Sequence, residues 1–205
     1  MTRSSRLLAL LGVLLAAAPH VQTAAAQTAA AQTAAVQTVD VGDRAPVFRA
    51  TQDNGRAWRS RDHVGRRFLV VYFYPAAMTG GCTDQACAFR DNRSQLQALG
   101  AEVVGVSGDR VDGLRRFKRA NRLNFPLLSD TQGTIARAFG VPVGAGGSIT
   151  RHIGSEDVEL TRDVTAARWT FIIGRDGRVA YKDTAVNPAG DGDAVVAALR
   201  RLNAR

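Results

Sequence analysis

An unbroken apolar run from Phe68 to Tyr74, β-branched and aromatic in content and closed by Pro75, is the chain's strongest strand signal. Apolar residues without alternation predict a central strand covered on both faces. Val103 to Val106 predicts a second buried strand. Between the two, Ala86, Phe89, Leu96 and Leu99 keep helical spacing, which predicts a helix over about 82–99 with Gly100 as its stop. The alternation continues with a helix over 111–121, a short strand over 126–128 and a helix over 134–139 ended by Gly140. A last helix carries Val195, Val196, Leu199 and Leu202 on one face.

Two hairpins frame this pattern. The segments 48–52 and 56–59 flank Asp53-Asn54-Gly55, and Asn-Gly supplies the positive backbone angles of a tight turn. The segments 169–173 and 178–181 flank Gly174-Arg175-Asp176-Gly177. Together these elements predict an α/β fold, a central mixed β-sheet flanked by helices with an N-terminal β-hairpin. From Val143 to Ala167 the pattern fades, and glycines at 144, 146 and 147 point to a long loop.

The amino-terminal segment changes the picture of where the protein works. Arg3 and Arg6 precede an apolar run from Leu7 to Ala18, too short to span a membrane, and Ala24, Ala25 and Ala26 follow. This order reads as a secretory signal over 1–26, cleaved after Ala26. Residues 27–39, an Ala/Gln/Thr repeat, read as a flexible linker, and 40–205 as one domain. The expectation is an exported, periplasmic or secreted protein with no stable membrane association after cleavage. Net charge is +9, or +7 once the two signal arginines leave (9 − 2). Acidic residues are interleaved with the arginines, and no basic stripe is broken by aromatics, so a nucleic-acid partner is not expected. The cluster Arg115, Arg116, Lys118, Arg119 and Arg122 reads as the solvated sides of a helix.

The chain's only thiols, Cys82 and Cys87, follow the central strand directly. Cys82, in the first turn of the following helix, has unpaired backbone N–H groups and the positive end of the helix dipole beside its sulfur, which favours a reactive thiolate. Thr79, three residues earlier, offers a hydroxyl. On an ideal helix, residues five apart have Cα atoms about 8.6 Å apart. A disulfide needs about 4.4–6.8 Å. Either the helix does not run through both cysteines, which allows a permanent structural bridge, or it unwinds on oxidation and makes a reversible switch.

Pro75, Thr79 and Cys82, with the continuation Cys82-Thr83-Asp84-Gln85-Ala86-Cys87, resemble the active-site pattern of the peroxiredoxins, and within them the bacterioferritin-comigratory, or Q-type, subfamily. Val41-Gly42-Asp43 with Ala45-Pro46 and Phe48, the segment Phe89-Arg90-Asp91, and the arginine-led strand Arg168-Trp169-Thr170-Phe171-Ile172-Ile173 extend the resemblance along the chain from Asp40. It implies a thioredoxin-like fold and a thiol peroxidase without cofactor or metal. Cys82 would be the peroxidatic nucleophile and Cys87 the resolving cysteine that forms an intramolecular disulfide. Thr79 would hydrogen-bond sulfur and peroxide, Pro75 would shield the thiolate, and Arg168 would stabilise thiolate and transition state. Hydrogen peroxide or organic hydroperoxides would be the substrate, a thioredoxin-like protein the reductant, and the monomer the working unit. Two positions depart from the pattern: Gly80 stands where proline is common, and Gln85 where glutamate is common, so a charge is lost there. The rival functions are an exported thiol-disulfide oxidoreductase, which usually has two residues between its cysteines, and a copper-binding thioredoxin-fold assembly protein using both cysteines and His152.

Overall fold

In the computed structural model, which describes residues 38–204, Val70, Val71, Tyr72 and Phe73 have no exposed surface. They belong to β3 (Phe68–Phe73), the strand expected at the centre. Successive side chains of a strand point to opposite faces. Phe68, Val70 and Tyr72 accordingly enter one hydrophobic core, and Leu69, Val71 and Phe73 the other. The signal and nearly all of the linker expected over 1–39 lie outside the described residues, which form one compact unit from Thr38.

Seven strands make one mixed sheet. β1 (Arg49–Gln52) and β2 (Ala57–Arg59) form the first hairpin, with Gly55 of the connecting turn at φ +83°. β4 (Ala101–Ser107) runs parallel to β3, and β5 (Leu127–Ser129) parallel to β4. β8 (Trp169–Ile173) lies antiparallel to β3 on its other side and pairs with β9 (Val179–Asp183) in the second hairpin. The order across the sheet is β2-β1-β5-β4-β3-β8-β9. On one face pack α1 (Gly80–Asp91), α2 (Arg93–Ala98), α3 (Val111–Ala120) and α5 (Asp191–Asn203), through Phe89, Leu96, Leu114, Phe117, Val195 and Leu199. The other face is closed by α4 (Thr134–Ala138), with Ile135 and Phe139 against Phe48 and Phe171. Among the described residues, no helix is long and apolar enough to cross a membrane.

Two expectations are corrected. The helix expected over 82–99 starts at Gly80 and is broken at Asn92 into α1 and α2. Asn92 Nδ2 donates back to the Ala88 carbonyl (3.1 Å) and across to Asp193 (3.0 Å). Such local bonding of an asparagine competes with helix continuation. The region expected to be a loop is a two-stranded ribbon, β6 (Val143–Ile153) and β7 (Glu156–Ala166), joined by Gly154-Ser155. A glycine opening a two-residue connection, here at φ +68°, is a hairpin signal. Gly146 serves close backbone approach rather than flexibility: a Cβ there would lie 2.3 Å from the Arg162 carbonyl oxygen. Asp163 N–H to Gly108 O (3.0 Å) and the Arg110–Asp163 ion pair (2.8 Å) tie the ribbon to the end of β4.

Candidate active site

The sheet delivers Cys82 and Arg168 to the same place. β3 ends at Phe73 opposite Trp169, the first residue of β8, so Arg168 stands just beyond the end of β3, where the chain crosses into α1. Its Nη2 donates to Cys82 Sγ at 3.3 Å, and its Nη1 to Gln85 Oε1 at 2.6 Å. Cys82 is the third residue of α1 and is 1% exposed. A guanidinium and the N-terminal end of α1 therefore face the sulfur together, an arrangement that compensates negative charge there.

The segment between β3 and α1 is pinned from several sides. Pro75 is half-buried at its start. The Ala77 N–H and the Ser107 hydroxyl both donate to Asp109 Oδ2, at 2.9 and 2.7 Å. Burial pushes the Asp109 carboxyl above its ordinary range, and these two bonds act against that shift. Met78 holds φ +62°, a left-handed conformation unusual for a side chain of its size. Its carbonyl accepts Arg151 Nε from the ribbon at 3.0 Å.

Thr79 is the N-cap residue of α1, with extended φ and ψ of −92° and 151°. Its hydroxyl donates to the Ala76 carbonyl at 2.9 Å. With the proton committed, the oxygen of Thr79 is left as an acceptor. Cys87 lies half-buried on the same continuous helix as Cys82, and both thiols are free. Of the two geometries weighed from spacing, the helix that runs through both cysteines is the one adopted.

Two residues of the site escaped the sequence reading. Gln85 is fully buried, and its Nε2 donates to Asp191 Oδ2 at 2.7 Å. Asp191, in the first turn of α5 and 1% exposed, also accepts Thr170 Oγ1 at 2.7 Å. Burial raises its carboxyl to about 6. Gln85 drew notice only as a departure from a pattern, and Asp191 had no sequence signal. Tyr72, whose phenol burial pushes well above its ordinary range, stays neutral beside this cluster. His152 lies on the exposed ribbon with Nδ1 3.0 Å from Asp157, and among the described residues no three His, Cys, Asp or Glu side chains gather as metal ligands.

Residues 41–182 match the AhpC/TSA family. A peroxiredoxin of Mycobacterium tuberculosis (strain ATCC 25618 / H37Rv) is 37% identical over 160 residues, 78% of this chain and 92% of its own length. Peroxiredoxin Bcp of Escherichia coli (strain K12) is 46% identical over 100 residues, 49% of this chain and 64% of its own. Among solved structures, the peroxidoxin BcpB of M. tuberculosis superposes with a TM-score of 0.67 at 32% identity, over 80% of this chain and 98% of that one. The bacterioferritin comigratory protein of Xanthomonas campestris, studied for alkyl peroxide reduction, gives 0.62 at 30% identity, over 76% and 91%. With its thioredoxin-like sheet and its cysteine at the start of α1, the chain belongs to the AhpC/TSA family, among the Bcp or Q-type peroxiredoxins, and is a thiol peroxidase.

Proposed function

We propose that Cys82 attacks the peroxide and that Cys87 resolves the product within the same chain. The single observation that carries this reading is the Arg168 guanidinium 3.3 Å from a sulfur in the first turn of a helix. The Cys82 thiolate displaces one peroxide oxygen: an S–O bond forms, the O–O bond breaks, and the leaving alkoxide or hydroxide departs with a proton as alcohol or water. Arg168 stabilises the thiolate and the charge growing on the leaving oxygen. Thr79 Oγ1 accepts the peroxide's O–H, and Pro75 shields the sulfur.

Cys87 then attacks the sulfenic sulfur: an S–S bond forms, the S–O bond breaks, and the hydroxide leaves as water with the proton that the Cys87 thiol gave up. The helix that holds both cysteines must unwind for the disulfide to close, because their helical separation of about 8.6 Å exceeds what a bridge spans. A dithiol partner of thioredoxin type returns two electrons and regenerates both thiols. Since both cysteines belong to one helix, no second chain is needed, and the monomer is the working unit. The alkyl peroxide reduction of the X. campestris relative supports organic hydroperoxides as substrates beside hydrogen peroxide. Export to the periplasm rests on Arg3, Arg6 and the apolar run to Ala18, and is tested by finding Gln27 as the mature amino terminus.

Stopped-flow mixing of the reduced protein with one equivalent of hydrogen peroxide, while thiols are counted, tests the mechanism. Rapid loss of both thiols into an internal disulfide is expected. Loss at the rate of an ordinary free cysteine would remove Cys82 from its role.

A further inference from the structure

We infer that Asp191 is a positioning residue which, acting through Gln85, holds Arg168 on the Cys82 sulfur. The inference rests on the roles proposed above for Cys82 and Arg168. Gln85 stands between two groups of opposite hydrogen-bonding character. The Arg168 guanidinium is donor-only, and an ionised carboxylate is acceptor-only. A carboxamide satisfies both in one orientation, with Oε1 towards Arg168 Nη1 (2.6 Å) and Nε2 towards Asp191 Oδ2 (2.7 Å). That orientation locks the acceptor end of Gln85 towards the guanidinium, whose other nitrogen reaches Cys82 Sγ.

The link also accounts for the departure at position 85. With Asp191 in place, a glutamate there would bring two buried carboxylates within about 3 Å, where both cannot stay ionised. The negative charge that position 85 lacks is instead supplied by Asp191, one hydrogen bond further from the sulfur. Two features fix the Asp191 carboxylate beside α1, with both side-chain donors on Oδ2 and Oδ1 buried without one. Thr170 Oγ1 from β8 gives Oδ2 a second donor, and the start of α5 approaches α1 so closely that a Cβ on Gly192 would lie 2.6 Å from the Ala88 carbonyl oxygen. Asp193, on the same helix, is turned to Asn92.

The groups that act on Asp191 come from every neighbouring element: Gln85 from α1, Thr170 from β8, Asp183 from β9, and Arg168 from the approach to β8. Tyr72 and Tyr181 feel its charge and remain neutral phenols. With its carboxyl raised to about 6, Asp191 is ionised at neutral pH and holds the link there. In mild acid it becomes protonated and the hold on Gln85 weakens.

The test uses Asp191→Asn, Gln85→Glu and the double variant, each in Cys87→Ser protein so that one thiol remains. Two quantities are read: the second-order rate with hydrogen peroxide, and the ionisation midpoint of the Cys82 thiol by ultraviolet thiolate absorbance. Each single change is expected to slow the reaction about fivefold or more and to move the midpoint upwards, as for directly coupled neighbours. The double variant is expected to recover most of the rate, because the carboxylate introduced at position 85 then accepts from Arg168 while the carboxamide introduced at position 191 donates to that carboxylate. The parent's rate is expected to show a rise with pH through about 6 that is missing in Asp191→Asn.

Additive losses in the double variant would overturn the inference. So would an Asp191→Asn protein with unchanged rate and a lowered midpoint, which is what mere removal of a nearby negative charge produces. Circular dichroism identifies any single variant that fails to fold, and rate and midpoint in the double variant then decide. Failure of the underlying mechanism is seen separately, as peroxide consumption retained by Cys82→Ser.

Discussion

Arg168 Nη2 lies 3.3 Å from Cys82 Sγ although 86 residues separate them along the chain. The antiparallel pairing of β3 with β8 makes the meeting possible, because it sets Trp169 beside Phe73 and leaves Arg168 at the strand's end. A guanidinium bonded to a charged partner contributes about 1.5–3 kcal/mol, so Arg168→Ala should slow peroxide reduction between about tenfold and a hundredfold. Arg168→Lys should recover only part, since an ammonium cannot span Sγ and Gln85 Oε1 together. Stopped-flow rates at fixed pH check both, and an alanine variant as fast as the parent would mean that the contact is incidental.

The cysteine pair separates nucleophile from resolver. Cys82→Ser should abolish peroxide consumption. Cys87→Ser should complete one rapid reaction and stop, leaving a sulfenic acid that a dimedone-type probe labels and mass spectrometry finds on Cys82. Multiple turnover at the parent's rate with a dithiol reductant would show a resolving route that bypasses Cys87.

Patterns carried by neighbours along the chain were legible, and those carried by distant partners were not. The apolar run of β3, the Asn-Gly turn and the spacing of α5 are local, and each became the element it predicts. Cys82 and Cys87 stood out because the chain has no other thiols. Arg168 could be distinguished from the many other arginines only through a resemblance, since its partner lies across the sheet. Asp191, 106 residues from Gln85, left no mark in the sequence. The ribbon was hidden for another reason: a glycine needed for close backbone approach, Gly146, looks the same as one needed for flexibility, and Gly154-Ser155 was the overlooked turn signal.

Gly105 of β4 should tolerate no side chain. It pairs with Tyr72, whose ring crosses it so closely that a Cβ would meet Tyr72 Cζ at 2.6 Å. Both strands are central, so neither can shift freely. Overpacking of a filled core costs about 1–3 kcal/mol, and Gly105→Ala should destabilise by at least the upper part of that range. Chemical denaturation measures it. Tyr72→Phe, which removes only an unpartnered hydroxyl, should be tolerated far better and should soften the effect of Gly105→Ala when the two are combined, because the phenol oxygen is among the clashing atoms.

Stability against pH should expose Asp191 as a group whose charge the fold tolerates at a cost. Its carboxyl stands at about 6 in the folded chain against 3.8 for an ordinary aspartate, with burial as the main cause. Between those values the folded state binds a proton that the unfolded state has released, so this group's contribution falls as pH rises. Below about pH 4 the contribution is fully present, and above about 6 it is lost, amounting to about 2–3 kcal/mol. Asp191→Asn, which resembles the protonated acid, should match the parent near pH 4 and exceed its stability at pH 7 and above. Urea denaturation of both proteins from pH 4 to 8 isolates the effect, because every other titrating group is common to the pair. A constant difference across that range would mean that the folded carboxyl titrates as it does in the unfolded chain. A difference that grows with pH, in a variant that also reduces peroxide more slowly, would establish a buried charge that serves the reaction at the expense of the fold.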